Sequence, residues 1–197
     1  MSFSRFAVFF LFLGLCGSDL VSQPLLLRIR KEDSLIGFSI NKWGVFKEEG
    51  RFRDFDGTVR FDPGNLAATT VDIAINAASI DSRNEGRDNA LRSEEFFHVS
   101  QFPTLRFKST GVTVKNPSTI LVRGEMTIRG VTKVMEIPVT ISGVNHAGGK
   151  LGTLVGFESQ FTIDREDFGV GMGWSIIDRE AHIHLLIGTG SNVTASR

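Results

Sequence analysis

The chain has 197 residues, 41% of them hydrophobic, and its 22 Lys+Arg balance 22 Asp+Glu for a formal net charge of zero. That length suits one domain with a sizeable core. The balance argues against a nucleic-acid binder, which needs a basic face, and against a self-repelling disordered chain.

Residues 6–15 are apolar except for Gly14; Arg5 precedes them and the small residues Cys16, Gly17 and Ser18 follow. A bilayer span needs about 20 apolar residues, so this run is too short and reads as a secretory signal. The signal occupies residues 1–18, with cleavage after Ser18 or as late as Ser22, and sends the chain to the periplasm or outside the cell. Cys16 is the single cysteine, which leaves the mature domain without a disulfide or a cysteine metal site. Leu15 disfavours lipoprotein anchoring through Cys16, because bacterial lipoboxes carry Gly or Ala there.

From Leu25 onward the apolar residues recur with period two, the spacing of strands with one apolar face and one wet face. In chain order the inward sets are Ile36/Phe38/Ile40, Val71/Ile73/Ile75, Leu105/Phe107, Ile120/Val122/Met126/Ile128, Met135/Ile137/Val139/Ile141, Val155/Phe157/Phe161/Ile163 and Ala181/Ile183/Leu185/Ile187. Turn residues separate them: Asp62-Pro63-Gly64-Asn65, Asn116-Pro117-Ser118, and Gly130 between the two clearest strands. Residues 81–97 break the pattern with charges and helix formers and read as one or two short helices closing an end. About eight strands with few helices mean a closed barrel or a sandwich, and an eight-stranded barrel is about wide enough for one small ligand. The 17 Phe and absence of Tyr suit a dry core or a dry ligand cavity, and composition does not choose between them.

No side-chain pattern calls for catalysis. Arg87-Asp88 reads as a structural ion pair or cap that pins the helical lid, and no G-x-S-x-G elbow occurs. His182 and His184 share one strand face, but Ala181, Ile183, Leu185 and Ile187 define the inner face, so the histidines point outward with no third metal ligand identifiable. Residues 169–173 read as a flexible glycine-rich loop, since the Lys and helix of a phosphate loop are missing. Asn192-Val193-Thr194 matches a glycosylation acceptor, but the pattern is common and the signal looks bacterial.

Five blocks, in order, resemble the YceI-like family of polyisoprenoid-binding, lipocalin-like bacterial proteins. They are Gly50-Arg51-Phe52-Arg53-Asp54-Phe55-Asp56-Gly57 with Phe61-Asp62-Pro63; Ala78-Ser79-Ile80-Asp81-Ser82 with Arg87-Asp88 and Leu91 to Phe97; Phe102-Pro103 with Phe107-Lys108-Ser109; Thr127-Ile128-Arg129-Gly130-Val131-Thr132-Lys133; and Asp164-Arg165-Glu166-Asp167-Phe168-Gly169. The resemblance implies an all-β, eight-stranded antiparallel lipocalin-like barrel over residues 25–190. It also implies an isoprenoid or other long apolar lipid as ligand, a quinone tail or polyprenyl chain, with no other cofactor. Transient membrane contact and, by analogy with relatives that pair, a homodimer are further expectations. The expected cavity lining is Phe38, Ile40, Phe107, Met126, Ile128, Ile137, Phe157, Phe161, Ile183 and Leu185.

Three positions depart from the family pattern: Lys42 and Ala90 stand where it carries His, and His98 where it carries Asp. Lys42 continues the inward face of Ile36, Phe38 and Ile40. An unpaired buried ammonium is very costly, so either this face reaches solvent at the barrel rim or Lys42 meets a carbonyl or anionic headgroup. The rival readings are a filled-core structural barrel and, behind it, a lipid-modifying enzyme.

Overall fold

A computed structural model describes residues 23–146 and 152–191. The signal segment, Cys16 and the Asn192 acceptor motif lie outside the described residues.

The period-two segments fold as strands: β1 (Leu25–Ile29), β2 (Leu35–Lys42), β3 (Phe46–Phe52), β4 (Phe55–Phe61), β5 (Thr70–Asn76), β6 (Ile80–Asp81), β7 (Thr104–Asn116), β8 (Thr119–Ile128), β9 (Val131–His146), β10 (Thr153–Asp164) and β11 (Ile177–Gly190). Several are parts of one longer strand. A 3₁₀ turn at Lys31–Asp33 splits β1 from β2, residues 53–54 split β3 from β4, and Ala77–Ser79 splits β5 from β6. With these parts joined, the ring has eight antiparallel strands and closes where β11 pairs with both β1 and β2. Each long strand pairs with its neighbour in sequence, so the architecture is an up-and-down barrel and not a sandwich.

The two ends differ. One is packed solid: Leu27, Phe61 and Val155 are 0%, 2% and 1% exposed, and the Phe61 and Phe157 rings meet edge-on at 5.7 Å. The other end gathers the helical segment, the β2–β3 and β8–β9 hairpins and the loop at residues 165–176. The helix α1 (Glu85–Arg92) starts at Asn84, whose side chain accepts the Arg87 backbone N–H at 2.9 Å.

The β8–β9 hairpin turns through Arg129 (φ 50°) and Gly130 (φ 74°), the paired left-handed conformation of a type I′ turn. Arg129 then donates to the carbonyls of Gly169 and Glu94, both at 2.7 Å, and ties the hairpin to the loop and to the helical segment. A Cβ on Gly130 would lie 2.6 Å from the Phe102 ring. Gly130→Val is therefore expected to cost about 1–3 kcal/mol through φ strain and this collision, read as a lower urea midpoint. An unchanged midpoint would contradict the turn assignment.

Candidate functional site

The inward faces of the strands surround a cavity of about 510 Å³. That lies within the range of about 300–1,000 Å³ usual for ligand pockets. Every lining residue expected from alternation borders it. β2 contributes Phe38 and Ile40 with Lys42 at its end, and β7 contributes Phe107. Met126 and Ile128 come from β8, Ile137 from β9, Phe157 and Phe161 from β10, and Ile183 and Leu185 from β11.

Phe107, Ile128, Ile137 and Phe157 are buried, and the other apolar side chains named keep surface on the void. Phe38, Ile40, Met126, Phe161, Ile183 and Leu185 point inward yet are only half-buried, whereas the side chains of the packed end are fully enclosed. Apolar side chains beside a filled interior would show no such residual surface. Ser159 is a polar group in this wall that alternation did not single out. It is buried, and its hydroxyl is spent on the Pro138 carbonyl at 2.5 Å, which leaves the wall apolar.

Gly124 lies on the same face as Met126 without leaving a gap there: a Cβ on it would stand 2.5 Å from the Phe107 ring, which covers the glycine from the neighbouring strand.

Charged groups collect at the helical end. The Arg87 guanidinium forms an ion pair with Glu48 of β3 and donates to the Ser82 hydroxyl at 2.8 Å and carbonyl at 3.0 Å. Asp88, buried, accepts the Ser82 N–H at 2.8 Å and hydroxyl at 2.5 Å. Arg87 and Asp88 thus share Ser82 and do not pair with each other; both pin the lid to the barrel. Ala90 lines the cavity, so a methyl stands where the family pattern has an imidazole. His98 lies outside the lining and packs edge-on against Phe102 at 5.7 Å. Lys42 is half-buried at the rim, its ammonium 4.4 Å from the Trp43 ring centroid, so this face does reach solvent there.

His182 and His184 lie along an outer-wall depression with Ser39 and Gln160, and His182 Nδ1 is 3.2 Å from the Thr162 hydroxyl. Among the described residues no group of three or more His, Cys, Asp or Glu could hold a metal ion.

The feature that sequence reasoning missed is Arg165. It is 5% exposed and borders the cavity. Its guanidinium donates to five carbonyls: Asp178 at 3.0 Å, Val170 at 2.8 Å, Trp174 at 3.1 Å, Ile177 at 3.0 Å, and Gly171. The segment read as a flexible loop is therefore wrapped around a cation. Gly169, Gly171 and Gly173 all take positive φ, which lets the backbone curl tightly enough for its carbonyls to converge. Next to it, burial works against the charge of Asp164, but Arg179 and the Glu166 backbone N–H outweigh burial and hold the carboxyl below its ordinary value.

The model of the YceI-like domain matches residues 27–189. A UPF0312 protein of Vibrio cholerae is 33% identical over 150 residues, 75% of this chain and 79% of that protein. Among solved structures, BcnA of Burkholderia cenocepacia superposes with a TM-score of 0.73 at 24% identity, covering 81% of this chain and 98% of BcnA. A polyisoprenoid binding domain from Saccharophagus degradans, implicated in plant cell wall breakdown, gives 0.66 at 13% identity over 85% of this chain and 99% of that one. At these identities both likenesses speak to the fold.

Proposed function

This chain belongs to the YceI-like family, and we propose that it is an exported carrier that holds the isoprenoid tail of a quinone or polyprenyl lipid inside its barrel. The observation that carries this reading is the apolar cavity, bordered by Phe38, Ile40, Met126, Phe161 and Ile183 and left unfilled by them. Each buried CH₂ contributes about 0.8 kcal/mol, so a few isoprene units give a large gross term, offset in part by ordering of the chain. The polyisoprenoid-binding description of the S. degradans domain supports the same ligand class here. Selection would then act through cavity length and girth. Three polar groups of the lining are engaged within the protein: Ser159 on Pro138, Ser82 on Asp88, Arg87 on Glu48. These engagements and the apolar wall support binding as the role. The apolar run at residues 6–15 supports the exported location.

Met126→Trp tests this. Met126 lines the void, so the larger ring has room inside and competes with the ligand. The delipidated variant is expected to melt within a few degrees of the parent, whereas affinity for a long-tailed quinone analogue should fall about tenfold or more, or about 1.4 kcal/mol. A filled core would instead register the extra bulk as about 1–3 kcal/mol of lost stability.

A further inference from the structure

Two segments at the helical end expose apolar side chains that nothing on the barrel covers. Trp43, Val45 and Phe46 of the β2–β3 hairpin are 59%, 77% and 59% exposed, and Met172, Trp174 and Ile176 of the Arg165 loop are 62%, 38% and 37% exposed. The segments are joined: the Trp43 N–H donates to the Ile176 carbonyl at 2.8 Å. They therefore form one patch, and it contains both tryptophans of the chain. Contiguous exposed apolar surface of this kind marks an interaction site.

We propose that this rim is the surface by which the protein docks on an anionic lipid bilayer, with the hairpin tip entering the interface. The proposal rests on the carrier reading above and names the partner with which the cavity exchanges its lipid. Three observations favour a bilayer. The patch is continuous with the cavity, since Trp174, Ile176 and Lys42 belong to the rim and also border the void. A lipid tail leaving the bilayer there meets the Trp174 and Ile176 side chains beside the Lys42 stem. Indoles with a cation beside them suit the headgroup region, where an apolar body and a polar edge are both satisfied. The charge also fits: Glu48 is paired with Arg87 and Glu49 with Lys47, whereas Lys42, over Trp43, has no ion pair among the described residues. The hairpin tip is a tight left-handed turn, with Trp43 at φ 52° and Gly44 at φ 67°.

Because both tryptophans lie in the patch, intrinsic emission reads the contact directly. The probe is vesicles of phosphatidylethanolamine with a minority of phosphatidylglycerol, added to the parent protein and to the double variant Val45→Ser, Phe46→Ser. The parent should show a blue shift and co-sediment with the vesicles. The variant, which loses only exposed side chains and keeps both indoles, should partition about tenfold or more weaker while binding the long-tailed quinone analogue in solution as the parent does. Absence of a shift in the parent overturns the docking surface even if quinone binding holds. A shift in the parent without quinone binding sustains the docking and overturns the carrier reading instead. Equal partitioning of parent and variant overturns the role of the hairpin. A vesicle-independent blue shift, with a doubled mass in sedimentation, shows a second copy to be the occupant and overturns the proposal.

Discussion

Arg165→Met is expected to lower stability by about 3–5 kcal/mol and to loosen the loop that carries Trp174. The guanidinium has five N–H donors, and the structure matches them with five backbone carbonyls from Val170 to Asp178. Methionine keeps the length and apolar stem but supplies no donor. The contacts to Val170 and Gly171 are buried and the other three half-buried; a buried carbonyl left without a partner costs about 1–3 kcal/mol, and the loop can recover only part of this by opening to water. Arg165→Lys should recover little, because an ammonium has three donors on a single nitrogen and cannot span five acceptors spread over the loop. Urea unfolding followed by circular dichroism gives the stability, and a red shift of tryptophan emission before the main transition reports the loosened loop. An unchanged midpoint would mean that the turns of the loop hold it without the cation.

The second large effect comes from comparing the two ends of the barrel. Phe61→Ala should cost about 3–5 kcal/mol, since Phe61 is 2% exposed and packed edge-on against Phe157. Ile183→Ala should cost less than about 1 kcal/mol, although Ile183 also points inward on a patterned strand. It borders the void and is absent from both buried clusters, so its truncation removes few contacts and merely enlarges an existing space. For a chain of this size, 1 kcal/mol shifts the melting temperature by about 2–4 °C, so the two variants separate clearly in a thermal scan. Similar losses for both would mean a uniformly filled interior.

Alternation made the wall legible and left the mouth obscure. On β7 to β11 the residue type sets the face, and each lining residue named from the period-two pattern does border the cavity. The pattern fails at residues 46–51, where Lys47, Glu48, Glu49 and Arg51 give a charged run. There the barrel reaches its rim, and inward positions such as Glu48 meet solvent and the lid. Arg165 lay within a recognisable block, yet its function was hidden because its acceptors are backbone carbonyls, which are identical for every residue type. The surroundings of Gly124 are hidden for a related reason. The ring that fills its space belongs to Phe107 on the neighbouring strand, and pairing register determines that, not the local sequence.

A barrel that carries a long apolar lipid in its void keeps that lipid through gentle purification. Native mass spectrometry of the protein purified gently from the cells that make it, followed by organic extraction of the same sample, is the decisive measurement. A carrier shows a population heavier than the apo chain by one lipid, with the extract yielding an isoprenoid-tailed molecule of matching mass. An apo mass alone, together with no uptake of a long-tailed quinone after delipidation, would contradict it.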